Sequence, residues 1–145
     1  MSNTRVLFAA SEVYPFAKSG GLADVAYGLP KALNEKYDVD IILPLYQFID
    51  RERFAIEAMG EMFHIMMGRK AYPITPYICE YEGMTYRFVY TPLLCDRAFL
   101  YGPTQGAYED NDVRFALLNY AMLEVLKLER YEIVHLNDWQ TALLP

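Results

Sequence analysis

The chain has 145 residues, of which 54% are hydrophobic and 22% charged, with a formal net charge of −6. That size fits one domain with a real core and is small for an enzyme that must enclose two large substrates, so one unit or a piece of one is expected. The composition excludes a disordered segment, no apolar run approaches the roughly 20 residues of a membrane helix, and the acidic balance argues against a broad nucleic-acid surface while leaving room for a local anion site.

Residues 1–5 lack the basic region, apolar core and cleavage site of a signal peptide, so a cytoplasmic location is expected. Residues 5–10 (RVLFAA) form a short, almost continuously apolar run, as in a strand buried on both faces of a parallel sheet. Lys18-Ser19-Gly20-Gly21-Leu22-Ala23-Asp24-Val25 follows and reads as the turn from a first strand into a first helix. Adjacent glycines let a ligand approach the backbone, and the unpaired N–H groups and positive dipole end of the helix favour an anion there. Lys18 adds a mobile full charge, so the local chemistry suits a diphosphate.

Leu22, Val25, Ala26, Leu29, Ala32 and Leu33 lie at helical spacing and predict a helix over 22–36, bent at Gly28 or Pro30. Residues 39–43 (VDIIL) are a second strand, which completes a right-handed βαβ unit. Residues 62–90 are rich in Tyr, Ile, Met, Phe and Val, with Tyr81-Glu82-Gly83-Met84 as a hairpin turn, and read as an antiparallel insertion. Residues 92–109 show no periodicity and are expected to be a loop long enough to carry function. Val113, Ala116, Leu117, Tyr120, Ala121, Leu123 and Leu128 predict a helix over 110–129, residues 132–136 (EIVHL) a last strand, and Asn137-Asp138-Trp139-Gln140-Thr141 the opening of another helix. The expected fold is α/β, a Rossmann-like parallel sheet with an antiparallel hairpin insertion. Cys79 and Cys95 have no metal-type spacing and are expected to be reduced, inert thiols, and neither a metal nor a cofactor is expected.

These blocks, in this order, resemble the landmarks of the bacterial glycogen synthases and plant starch synthases. Ser11-Glu12 with Pro15 and the run from Lys18 to Val25 is similar to that family's N-terminal Lys-Thr/Ser-Gly-Gly-Leu-Ala/Gly-Asp-Val signature, and Leu43-Pro44-Leu45-Tyr46 to its second-strand end. Leu100-Tyr101-Gly102, with Tyr108 and Asp110-Asn111 ahead of Arg114-Phe115, is similar to its next block. His135-Leu136-Asn137-Asp138-Trp139-Gln140-Thr141-Ala142-Leu143 is similar to the one after. The resemblance covers essentially the whole chain. It implies a retaining glucosyltransferase that passes glucose from ADP-glucose to the non-reducing end of an α-1,4-glucan, in an enzyme of two Rossmann-like domains of the GT-B type. Its N-terminal domain holds the acceptor and lends the Lys-Gly-Gly loop to the donor's phosphates, while the C-terminal domain supplies most nucleotide contacts. By that resemblance residues 1–145 are an incomplete N-terminal domain, inactive alone, whose partners are ADP-glucose, the glucan and the missing C-terminal domain.

Carried onto this sequence, the resemblance puts catalytic positions at Asp110, His135 and Asn137 and substrate-binding positions at Glu12, Lys18, Gly20, Gly21, Asp24 and Asp138. Asn137 stands where glycogen synthases carry the second His of His-x-His-Asp-Trp; starch synthases similarly show Asn, and an amide bonds a sugar hydroxyl but carries no proton. Lys18 would neutralise the leaving diphosphate. Each residue also has a structural reading: Asp24 as a carboxylate favoured by the helix dipole, Asp110 and Asp138 as N-caps, His135 as a hydrogen-bonded structural histidine, Glu12 as a surface-loop residue. His64 has no ligand-spaced partner and is assigned no function. The thirteen tyrosines and Trp139 suit half-buried sheet positions or stacking on sugar faces. The competing function is a non-catalytic glycan- or nucleotide-sugar-binding module. An NAD-binding Rossmann enzyme is disfavoured because Gly-x-Gly-x-x-Gly is absent, as is a P-loop.

Overall fold

The computed structural model describes residues 3–145; Met1 and Ser2, part of the segment in which no signal peptide was found, lie outside the described residues. The chain opens with β1 (Arg5–Ala9), α1 (Gly21–Leu33) and β2 (Asp38–Pro44), and β1 pairs in parallel with β2, Val6 opposite Val39 and Phe8 opposite Ile41. Leu7, Phe8, Ala9, Ile41 and Leu43 are completely buried, which needs a covering layer on both faces of the sheet. α1 supplies one layer through Ala23, Ala26 and Pro30, and it continues through Gly28 and Pro30 without breaking. Asn34 ends it: its backbone N–H reaches the Pro30 carbonyl at 2.8 Å, and its side-chain oxygen accepts from the Val39 N–H at 3.1 Å, so one residue closes the helix and starts β2.

β3 (Glu57–Ala58), β4 (Phe63–Met67), β5 (Lys70–Tyr81) and β6 (Met84–Tyr90) follow. Glu82 and Gly83, at φ of 49° and 77°, make the two-residue turn between β5 and β6, as the hairpin signal predicts. The expected insertion needs one correction. β6 is a strand of the main sheet, parallel to β2, and only β3, β4 and β5 are antiparallel additions. The physical reason is burial on both faces: Tyr86 and Phe88 pack to one side and Val89 to the other, whereas β5 is half-exposed along most of its length.

The segment read as loop from 92 begins with a single helical turn, α2 (Pro92–Cys95), opened by Pro92, where a missing N–H costs nothing. α3 (Asn111–Leu128) and β7 (Ile133–Leu136) match their predicted spans closely, but the helix predicted from Asn137 is one 3-10 turn, Trp139–Thr141. Cys79 and Cys95 are free and buried, and burial pushes their thiols up to about 11 and about 12.

The sheet order is β3-β5-β6-β2-β1-β7, with β4 hydrogen-bonded to β5 off this path, and β6-β2-β1-β7 is wholly parallel. The connection reverses direction between β1 and β7, so right-handed crossovers put α1 and α3 on opposite faces. Val6 and Phe8 accordingly share a cluster with Ala26 of α1, and Leu7 and Ala9 share one with Phe115, Leu118 and Met122 of α3. The carboxyl ends of β1 and β7 flank the switch point, the place where doubly wound sheets bind ligands. Toward the opposite ends, Asp40 accepts from Arg5, Arg87 and Tyr131 and ties the strand bottoms together.

Candidate active site

The chain leaves β1 through Ser11 and Glu12, both buried. Glu12, only 4% exposed, accepts from the backbone N–H groups of Ser19 and Gly20 at 2.5 and 3.1 Å and from the Tyr101 hydroxyl at 3.1 Å. The surface-loop reading of Glu12 is therefore corrected. It is a buried side chain whose carboxyl oxygens satisfy two amides of the glycine turn. Tyr101 also lies 2.7 Å from the Ser11 hydroxyl, and the Tyr46 hydroxyl donates to the Ser11 carbonyl at 2.6 Å. Burial pushes both phenols up, so they stay protonated.

Lys18 Nζ lies 2.8 and 2.7 Å from the two carboxylate oxygens of Asp24, and both side chains are largely exposed. Asp24 thus holds the ammonium across the turn as well as sitting in the first turn of α1. Gly20 occupies the N-cap in extended backbone, and no side chain caps the helix. A Cβ on Gly20 or Gly21 would meet nothing within 4 Å. Internal packing therefore does not demand glycine at either place, and the space outside them is open to a ligand.

On the neighbouring strand, His135 stacks on Phe8 with ring centroids 4.5 Å apart and planes at 14°. Stacking rather than hydrogen bonding holds this ring among the described residues, which corrects the hydrogen-bonded reading. Asn137 donates to the Ala9 carbonyl from its backbone N–H at 3.2 Å and its side-chain amide at 2.8 Å, latching the end of β7 to the end of β1. Its side-chain oxygen is left over to accept. Asp138 sits at φ 62° and ψ −174°, a strained conformation for a residue with a side chain, and its carboxylate caps the 3-10 turn by accepting from the Trp139 N–H at 2.7 Å.

Asp110 stands apart from this cluster. Both carboxylate oxygens are held by Arg97, at 3.1 and 2.5 Å, and that pairing keeps its carboxyl below the usual range. It occupies the N-cap position of α3, yet its side chain caps no N–H, so the capping reading is corrected too. Arg114, noted in the sequence only as part of a family block and given no role there, is the largest fully buried side chain. Its guanidinium donates to the carbonyls of Leu94 and Leu100 at 2.6 and 2.9 Å and to the Asn111 side chain at 2.8 Å, pinning both ends of the 96–110 loop. The signal was present: Arg114, Leu117, Leu118, Ala121 and Met122 form one helical stripe, and a charge inside an apolar stripe needs an internal partner.

Between the glycine turn and this loop runs a groove of about 420 Å³ lined by Lys18, Ser19, Phe48, Phe99, Tyr101 and Gly102, among others. Phe48 and Phe99 are 44% and 50% exposed and were not anticipated. A cation at one end, with the uncapped start of α1 next to it in the chain and aromatic walls beyond, can hold an anion joined to a group with apolar faces such as a sugar ring. The structure brings Glu12, Lys18, Gly20, Gly21 and Asp24 together on one loop and His135, Asn137 and Asp138 on the adjoining strand end. Of these residues only Lys18 lines the groove itself and the rest lie beside it; Asp110 does not line it either. No cluster of three or more His, Cys, Asp or Glu able to hold a metal ion occurs among the described residues.

The family profile described as starch synthase catalytic domain matches residues 5–145. The chain is similar to the glycogen synthase of Acholeplasma laidlawii, 38% identical over an alignment of 144 positions that covers 97% of this chain and 29% of that protein. It is 39% identical over 144 residues to the glycogen synthase of Geotalea daltonii, covering 97% of this chain and 30% of the other. Its fold matches the catalytic domain of starch synthase IV from Arabidopsis thaliana bound to ADP and acarbose with a TM-score of 0.80 and 33% identity, over 99% of this chain and 29% of that one. The chain spans about three-tenths of the length of these relatives. No helix among the described residues is long and apolar enough to cross a membrane.

Proposed function

From the premise that this chain belongs to the starch synthase catalytic-domain family, we propose that it is the acceptor-side opening of a two-domain, cytoplasmic glucosyltransferase that moves glucose, with retention, from ADP-glucose to the non-reducing end of an α-1,4-glucan. The observation that carries this reading is that a lysine-bearing glycine turn and an Asn-Asp loop follow the adjacent carboxyl ends of β1 and β7, with Lys18 lining an aromatic-walled groove. The ADP and acarbose bound by starch synthase IV support it.

In this mechanism Gly20 and Gly21 admit the donor's diphosphate to the open amides of α1. Lys18 exchanges Asp24 for the phosphate and stabilises the charge that builds as the bond from glucose C1 to the phosphate oxygen breaks. Asp24 keeps the ammonium poised over the turn, and Glu12 fixes the turn from beneath. The free side-chain oxygen of Asn137 accepts from a sugar hydroxyl and takes part in no proton transfer. His135 and Asp138 complete the strand-end wall, and Asp110 acts on the site through the loop it anchors. Most nucleotide contacts come from the second domain, so the 145 residues alone are inactive.

Transfer of labelled glucose from ADP-glucose into glycogen tests the reading. The longer protein incorporates label and the isolated chain does not; incorporation by the isolated chain would overturn the two-domain requirement. In the longer protein Lys18→Ala lowers kcat/KM for ADP-glucose about tenfold or more, the worth of one charge-assisted phosphate contact, and leaves glucan affinity unchanged. Equal loss of both would rule out the phosphate role. Calorimetry of the isolated chain separates the glycan- or nucleotide-sugar-binding module, which takes up glucan tightly or ADP-glucose by itself, from this reading, which expects weak glucan binding and little donor affinity.

A further inference from the structure

β4 is an edge strand. Among the described residues it is hydrogen-bonded to β5 alone, and no main-chain bond from another element reaches it. The two-residue turn Gly68-Arg69 closes on Met67 opposite Lys70. Such a turn closes on a hydrogen-bonded pair, and in an antiparallel ladder these pairs alternate with open ones. Phe63, Ile65 and Met67 therefore turn their main-chain N–H and C=O groups to β5, while those of His64 and Met66 point away from it. An outward row of this kind is a template for another strand. The side chains alternate as well: Phe63, Ile65 and Met67 pack into the cluster shared with α3, and His64 and Met66 lie exposed, Met66 by 60%. A proline, a bulge or a charged side chain within the strand would blunt the edge, and β4, with the sequence FHIMM and an unbroken register, carries none of these.

The charges lie just outside the strand and differ in sign. Glu61 precedes it and Arg69 follows it; both are exposed, and neither is ion-paired among the described residues. We propose that β4 is a self-recognition edge, on which two copies of this chain pair antiparallel about a two-fold axis at Ile65. Two requirements select that register. Outward main-chain groups must meet outward ones, and core-facing side chains must stay on the core side, so odd positions face odd positions. Centred on Ile65, the whole of Phe63–Met67 pairs with itself, His64 stands opposite Met66 of the second copy, and Glu61 stands opposite Arg69 of the second copy at both ends. Moving the centre to His64 sets histidine against histidine and Glu61 against Met67, and moving it to Met66 sets Arg69 against Phe63. Only the Ile65 register satisfies both charges. The complementarity is between the strand's own two ends, so the occupant is a second copy rather than a foreign strand. The other edge of β4 belongs to β5, so the contact closes at two subunits.

One strand pair is a small interface, so the dimer is weak, and sedimentation velocity of the chain between about 10 μM and about 1 mM shows it shifting from monomer toward dimer. Glu61→Arg and Arg69→Glu each set like charges against one another at both ends of the pair and raise the dissociation constant about tenfold. The double variant restores it, because the same pairs form again with their signs exchanged. Both positions are exposed, so the single variants keep the parent's melting temperature at low concentration. Amide exchange reads the phase of the pairing: with about nine-tenths of the chain as dimer, His64 and Met66 exchange about tenfold more slowly than in the monomer, and Phe63, Ile65 and Met67, already bonded to β5, change little. A chain that stays monomeric throughout the series overturns the proposal. So does a dimer indifferent to both single substitutions, or a double variant as weak as either single one. A dimer in which His64 and Met66 exchange as they do in the monomer overturns it too, since the copies then meet on another surface. Glucosyl transfer enters none of these readouts, so the proposed function and the self-recognition edge fail separately.

Discussion

Glu12 shows how much a single side chain decides at this site. A buried carboxylate with no cationic partner among the described residues is costly unless hydrogen bonds replace water, and here two turn amides and a phenol do so. The turn uses its outer amides on Glu12 and keeps the first-turn amides of α1 for a ligand, so rigidity and anion affinity come from different groups of one loop. Glu12→Ala leaves the Ser19 and Gly20 N–H groups and the Tyr101 hydroxyl without their acceptor and costs roughly 1–3 kcal/mol. Urea denaturation measures that cost, and amide exchange at Ser19 and Gly20 accelerates with it; Glu12→Gln, which keeps one acceptor, loses less. An alanine variant as stable as the parent would mean that the carboxylate does not hold the turn. The sequence placed Glu12 beside the glycines but gave no means of seeing its burial, because the tyrosine that claims it lies 89 positions away. Lys18 with Asp24, six positions apart, was within reach of local reasoning.

At the scale of elements, the 96–110 loop is the part least legible in the sequence and the part that shapes the groove. It has no period to read, and its conformation is set by a buried guanidinium below it and by one close approach within it. A Cβ on Gly102 would fall 2.2 Å from the Gly106 carbonyl oxygen, and Gly106 itself sits at φ 83°. The obstacle is backbone, so it cannot swing aside as a side chain would. Gly102→Ala is therefore expected to destabilise the chain by about 1–3 kcal/mol, at the scale of an overpacked core. Gly20→Ala, which meets nothing within 4 Å, changes stability by less than about 0.5 kcal/mol and instead weakens donor use in the longer protein. Thermal melts of the two variants side by side check the contrast; a Gly20 variant as damaged as the Gly102 variant would make that glycine structural and remove it from the phosphate site. By comparison β1, α1, β2, α3 and β7 were legible because each carries its own local signal, a short apolar run in the strands and helical spacing in α1 and α3. β6 was assigned to the insertion because its hairpin turn announces an antiparallel neighbour, and only the sheet itself reveals the parallel partner on its other side.

For the molecule as a whole, the strand order was beyond the sequence, which announces a βαβ unit but not the reversal between β1 and β7 that creates the crevice. Burial of the sheet on both faces fixes how the fold responds to alkaline pH. Burial pushes Cys79 up to about 11 and Cys95 to about 12, and it raises the phenols of Tyr46, Tyr86, Tyr101 and Tyr131 as well. Each of these groups is neutral when folded and ionises at a lower pH when unfolded, so above about pH 8.5 the unfolded chain binds fewer protons than the native one. The slope of unfolding free energy with pH is then negative. Stability should hold through neutral pH, begin to fall where the unfolded thiols titrate, and keep falling as pH rises toward the folded values, by a few kcal/mol in order of magnitude. Urea midpoints between pH 7 and 11 test this, and Cys95→Ala gives the internal control. That variant starts less stable because it leaves a small void, yet its alkaline decline is shallower because one of the groups driving the decline is gone. A parent profile flat to pH 11, or an unchanged slope in Cys95→Ala, would mean that these groups are reached by water in the native state and that the core between the two helical layers is less closed than its burial indicates.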